Sequence, residues 1–155
     1  MVHKKWLSSV LNMPYSSNGF GIDFLDDRLG IELKCRYDRY TPNFAVHEYQ
    51  VDHFLEKNPG RELFWAFLVY GLTKTPSDIR GRDIGKFVSS RHVWFLEWDW
   101  VRQFPVSYPE TGPYRYVHAN KDFPPEEEFT RLEEQGGILY LPKGSTLEHK
   151  LVVPF

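Results

Sequence analysis

The 155-residue chain reads as a mixed α/β domain built on a central sheet. Three observations lead there. Apolar residues recur at helical spacing in some stretches and alternate in others. The two kinds of stretch follow one another as helix, hairpin, helix, strand, strand and a β/α tail, with no repeat, low-complexity tract or linker between them. A length of 155 residues, 41% hydrophobic and 26% charged, suits one domain with a sizeable core rather than two.

The elements follow in chain order. In "HKKWLSSVLN" (3–12), Trp6, Leu7, Val10 and Leu11 form one apolar face of a short helix, which Pro14 and "SSNG" break into a loop. "FGIDFL" (20–25) and "GIELKCRY" (30–37) alternate as two strands around the turn-forming "DDRLG". After a loop with Pro42 comes "NFAV", a short extension, and "HEYQVDHFLEKNPG" (47–60) is a helix closed by Asn-Pro-Gly. "RELFWAFLVYGL" (61–72) is apolar and aromatic enough for a buried strand.

The polar stretch 73–90 is predicted as a long loop with at most a helical turn. "RHVWFLEWDWV" (91–101) is a strand running into a turn or short helix, and one strand is expected around Tyr114–His118. "PPEEEFTRLEEQG" (124–136), with Pro and Glu at its start and Gly at its end, is predicted as a helix. "GILYLP" (137–142) and "EHKLVV" (148–153) are predicted as strands.

Composition narrows the chemistry. A single cysteine, Cys35, excludes a disulfide framework and a multi-cysteine zinc site, and points to an intracellular, cytoplasmic chain. Alternating away from Lys34, it reads as a core filler. No apolar run approaches a membrane span, and the start is too weakly apolar for a signal peptide. No GxGxxG or Walker pattern calls for a nucleotide cofactor, and His47 and His53 in "HEYQVDH" lack the spacing of HExxH. Residues 1–94 carry 13 Lys/Arg against 11 Asp/Glu, and residues 95–155 carry 6 against 10. A polyanion would therefore need a local patch, and 73–92, with five bases and two acids, supplies one. Glu97 and Asp99 alternate in "FLEWDW" and read as a solvated strand face.

The pattern that carries chemistry is in the hairpin. Glu32 and Lys34, two apart on a strand, share a face, while Ile31 and Leu33 point to the core. A turn near 26–30 brings Asp23 to Glu32 or its neighbour. Two carboxylates and a backbone carbonyl can hold a hard cation such as Mg²⁺, and an adjacent ammonium can position a water or offset charge on a phosphate. The same residues also fit a surface hairpin with a cross-strand ion pair. Sixteen residues past Lys34, Gln50 shares a helix face with His47 and Phe54 and needs a polar partner if buried.

Helix, loop, "GIDFL-DDRLG-IELKCR", "NFAVHEYQVDHFLEKNPG" and an apolar strand together resemble the PD-(D/E)XK nuclease superfamily. Within it, the hairpin and glutamine helix are most similar to archaeal-type Holliday-junction resolvases and their viral relatives. The resemblance covers about 1–72 and the strand near 91–97. It implies a restriction-endonuclease-like core (about 1–104) with a mixed sheet flanked by helices, followed by a β/α C-terminal extension (about 105–155).

The activity implied is Mg²⁺-dependent hydrolysis of phosphodiester bonds in DNA, with Mn²⁺ able to substitute. Asp23, Glu32, Lys34 and Gln50 would be catalytic, and the metal ligands would be Asp23, Glu32 and the Leu33 carbonyl. Ser16, Ser17, Arg36, Arg39, Lys74, Arg80, Arg82 and Lys86 would meet the DNA. A homodimer is one expected arrangement, since cutting two strands takes two sites. A resolvase, a restriction-like enzyme and a repair or viral processing nuclease all stay open.

Two departures stand out. Ile22 replaces the proline before Asp23, and residues 1–22 hold no acid, although many members carry a metal-binding glutamate on the first helix. The alternatives are therefore a catalytically decayed DNA-binding or scaffold member of the same fold, and an unrelated α/β interaction domain.

Overall fold

The computed structural model describes residues 2–16, 22–38, 42–110 and 112–152. Helix α1 (Val2–Leu11) buries His3, Leu7 and Leu11, one residue per turn. Strand β1 is only Phe24–Leu25, and β2 (Leu29–Tyr37) pairs with it antiparallel. Asp26 closes their turn: its Oδ1 accepts from the amides of Arg28 and Leu29, both at 2.8 Å. Next come β3 (Asn43–His47), α2 (Glu48–Lys57) and β4 (Glu62–Leu72). The chain continues through β5 (Val88–Glu97), α3 (Trp98–Val101), β6 (Val106–Ser107), β7 (Tyr114–His118) and α4 (Ala119–Asp122). It closes with β8 (Phe129–Glu134), β9 (Gly137–Pro142) and α5 (Thr146–Val152).

Six strands form a mixed central sheet in the order β1-β2-β4-β5-β9-β8. β2 and β4 run parallel through the α2 crossover, β5 and β9 are also parallel, and the other neighbours are antiparallel. A smaller antiparallel sheet has the order β3-β7-β6. β4 is buried without a break from Leu63 to Val69, as befits a strand covered on both faces.

On one face Ile31, Leu33, Phe64, Ala66 and Phe95 pack with Leu7 and Leu11 of α1 and Leu147 of α5. Burying each such leucine contributes about 1.5–3 kcal/mol. On the other, Trp65, Phe67, Val69 and Leu96 meet Val51 and Phe54 of α2 and Phe44 of β3. Arg115 fastens the small sheet: it forks onto Glu48 at 2.9 and 3.1 Å and donates to the carbonyls of Arg102 and Phe104. No helix among the described residues is long and apolar enough to cross a membrane.

Several predicted elements change. "NFAV" belongs to a true strand, β3, and the stretch 73–90 holds two 3-10 segments, Pro76–Asp78 and Gly81–Phe87, before β5 begins at Val88. The helix expected over 124–136 is a single 3-10 turn, Glu126–Glu128, followed by strand β8. The deciding signal is the two-residue turn Gln135–Gly136, with φ of 45° and 80°, which folds β8 onto β9 as a hairpin. Of the strand expected at 148–153, Val153 is outside the described residues, and residues 148–152 lie instead in helix α5. Ser145 starts it by accepting from the Glu148 amide at 3.1 Å, while Glu148 reaches back to the Gly144 amide at 3.1 Å.

Asp99 lies exposed on α3 rather than on a strand, and Glu97 ends β5 half-buried. Residues of the expected C-terminal extension supply two of the six central strands, β8 and β9.

Candidate active site

The parallel register pairs Glu32 with Trp65 and Lys34 with Phe67, so both charged side chains leave β2 on the α2 face. Asp23 comes to them from just before β1. Because β1 begins only at Phe24, opposite Ile31, the outer edge of β2 beyond Ile31 has no strand partner among the described residues. Asp23 fills that place: its Oδ2 accepts from the Leu33 amide at 2.8 Å, and its own amide donates to Glu32 Oε1 at 3.2 Å. The two carboxylates are 7% and 4% exposed. Burial first, then the neighbouring Asp23, pushes the Glu32 carboxyl up to about 8, against the pull of Lys34.

Lys34 places its ammonium 3.8 Å from Glu32 Oε2 and 3.5 Å from Gln50 Oε1, a long contact. Gln50 is half-buried on α2, whereas His47 is not on that helical face. It is the N-cap of α2, with Nδ1 accepting from the Tyr49 amide at 3.1 Å. Gln50 and Phe54 thus lie one turn apart on α2 as the spacing predicts, while His47 precedes the helix. Leu33, whose carbonyl is the third expected metal ligand, meets Asp23 through its amide on the open edge of β2, and its side chain lies in the core.

A group the sequence reading missed sits in the middle of the cluster. Lys4 of α1 places its ammonium 2.6 Å from Asp23 Oδ1 and donates to the Ser16 carbonyl at 3.1 Å. Lys4 lies one turn from Leu7 and Ser8, at the margin of the buried stripe, a position that suits a half-buried stem but does not by itself point to Asp23. A cleft of about 420 Å³ opens beside the acid pair, lined by Tyr15, Ser16, Asp23, His53, Phe54 and Asn58 among others. Glu32 is not in that lining and lies behind Asp23. His53, set aside in the sequence for want of a zinc motif, thus shares the cleft with Asp23, its ring stacked at 6.0 Å on Tyr49.

Ser16 lies at the cleft, with its amide donating to the Asp23 carbonyl at 2.8 Å. Ser17 and Arg39 lie outside the described residues. Arg36, two past Lys34, is exposed and donates to the Asn43 carbonyl at 3.0 Å. Lys74, Arg80, Arg82 and Lys86 are exposed on the β4–β5 connection. Lys74 lies over the Phe87 ring at 4.6 Å, and Lys86 pairs with Asp83 at 3.5 Å. Among the described residues, no hydrogen bond or ion pair joins these four bases to the acid pair. Cys35 packs against the α1-side core, and burial pushes its thiol up to about 12, in keeping with a filler role.

The donor set suits a hard cation. Asp23 and Glu32 bring buried oxygen side by side, and burial followed by the neighbouring Asp23 makes an ionised Glu32 costly there without a further cation. No cluster of three or more His, Cys, Asp or Glu occurs among the described residues, so any ion would rest on this pair, backbone and water. No protein-family model matches the chain, and a search of curated proteins found no match.

Proposed function

We propose that the chain is a divalent-cation-dependent nuclease that hydrolyses phosphodiester bonds in DNA, with the restriction-endonuclease-like fold that its sequence resembles. One observation carries the reading: Asp23 and Glu32, nine residues apart, converge in a buried pair with Lys34 3.8 Å from Glu32 and Gln50 3.5 Å from that lysine. The mixed sheet, the parallel β2–α2–β4 crossover and the short hairpin are all compatible with that fold.

Mg²⁺ or Mn²⁺ would be held by Asp23 and Glu32, where it would polarise a phosphate oxygen and acidify a water. The protein's own residues do the rest. The Leu33 amide fixes the Asp23 carboxylate, and the Asp23 amide fixes Glu32. Lys34 stabilises negative charge growing on the phosphate, steered by Gln50. Arg36 and the bases between β4 and β5 would add salt-dependent contacts to the backbone.

The second reading, a DNA-binding member that no longer cuts, is favoured by one specific feature. Where a third acid would help hold metal, α1 presents Lys4, already paired with Asp23.

Cleavage of linear, nicked and four-way DNA in Mg²⁺ and Mn²⁺ tests both. The wild-type chain should cut at least one substrate only with metal, and Asp23→Asn and Lys34→Met should each lose at least about a hundredfold while melting normally. DNA binding without cleavage would support the second reading. Undiminished cleavage in the variants would sink the site assignment.

A further inference from the structure

We propose that Lys4 is a built-in competitor for the divalent cation, so that metal and the phosphodiester are taken up together rather than in turn. The proposal rests on the nuclease reading above. Both oxygens of Asp23 are committed: Oδ2 to the Leu33 amide and Oδ1 to the Lys4 ammonium at 2.6 Å. The first is a backbone contact set by the sheet edge and cannot leave without disturbing the hairpin. The second is made by a flexible side chain that is about a quarter exposed. A cation reaching Asp23 therefore displaces Lys4.

Charge points the same way. With Glu32 ionised, as holding a cation requires, Lys4 and Lys34 balance Asp23 and Glu32 and the four side chains sum to zero. A divalent ion added alone leaves two positive charges in a largely buried cluster. An anionic phosphodiester arriving with the ion offsets part of that excess. It also gives the released Lys4 a new partner, because Lys4 is tied to Ser16, which lines the cleft beside Asp23. Lys4 thus exchanges a carboxylate for a phosphate. Breaking this close, partly buried ion pair is the cost an incoming ion must meet, so competition of at least about tenfold is expected.

Calorimetric titration of Mn²⁺ into the full chain tests this, with and without a slowly hydrolysed phosphorothioate duplex. Four proteins are compared: wild type, Lys4→Met, Lys4→Gln and Asp23→Asn. Wild type should bind Mn²⁺ at least about tenfold tighter with the duplex than without it. Both Lys4 variants should bind Mn²⁺ alone at least about tenfold tighter than wild type and gain less from the duplex. Lys4→Gln keeps a donor for the Ser16 carbonyl and decides the matter if Lys4→Met melts early. If wild type and the Lys4 variants bind Mn²⁺ equally while Asp23→Asn does not bind, the metal site stands and Lys4 is no competitor. If none of them binds Mn²⁺, this proposal and the nuclease reading fall together.

Discussion

Replacing His3 by glutamine should remove most of an acid sensitivity built into α1. His3 is 8% exposed, and its ring lies 4.4 Å from that of Tyr70. Arg91 Nε donates to its Nδ1 at 3.2 Å, so the imidazole is held as an acceptor toward a guanidinium. Its other nitrogen, Nε2, is buried without a hydrogen-bond partner among the described residues. Burial, and then the charge of Arg91, depresses the imidazole from 6.5 to about 4.

A group whose folded value is depressed favours the fold above its unfolded value and loses that contribution as pH falls toward the folded one. His3 should therefore contribute fully above pH 6.5 and lose the contribution between pH 6.5 and about 4. At about 1.4 kcal/mol per pH unit, the limiting effect is about 3 kcal/mol. Urea unfolding of wild type and His3→Gln at pH 7.5, 5.5 and 4 measures it. Glutamine can still accept from Arg91, so a modest cost is expected at pH 7.5. At pH 4 the variant should have gained roughly 2–3 kcal/mol relative to wild type. A stability difference that does not change with pH would refute the reasoning.

Glu32→Gln should abolish metal-dependent cleavage yet stabilise the metal-free protein above neutral pH. Glu32 is raised from 4.5 to about 8, so wild type loses stability as pH rises through that window and the amide does not. Unfolding at pH 5 and pH 8.5 should show the two proteins diverging by a few kcal/mol, and a less stable variant at pH 8.5 would contradict it. Gly137→Ala should destabilise by about 1–3 kcal/mol, because a Cβ there would overlap the Trp6 indole. An unchanged melting temperature would show that α1 can shift at no cost.

The parts of the fold legible in the sequence were those with strong local signals. β4 announced itself as an unbroken apolar run, and α1 and α2 as apolar stripes ended by turn residues. β8 and α5 were misread because charge pattern was weighed above turn and cap chemistry: Gln135–Gly136 and Ser145–Glu148 hold the deciding information. The small sheet escaped because β3 and β7 are about 70 residues apart, and pairing at that distance leaves no trace in periodicity.

Within the candidate site, Asp23, Glu32 and Lys34 were readable because a hairpin turns sequence spacing into proximity. Gln50 was readable because the crossover helix packs on the face those residues share. Lys4 was not, since its meeting with Asp23 depends on how α1 is laid against the sheet.

That placement has a consequence in time. The β8–β9 hairpin pins one side of α1: Trp6 Nε1 donates to the Gln135 carbonyl and Ser9 to the Gln135 side chain, both at 2.9 Å, while the Trp6 ring covers Gly137. Lys4, Asp23, Glu32, Lys34 and Gln50 are all translated by residue 50, yet the hairpin that pins the Trp6 side of α1 emerges almost ninety residues later. At the pace of synthesis that is an interval of roughly five to twenty seconds. Through that interval α1 lacks its contacts to Gln135 and Gly137, and the last hairpin made completes the seat of the first helix.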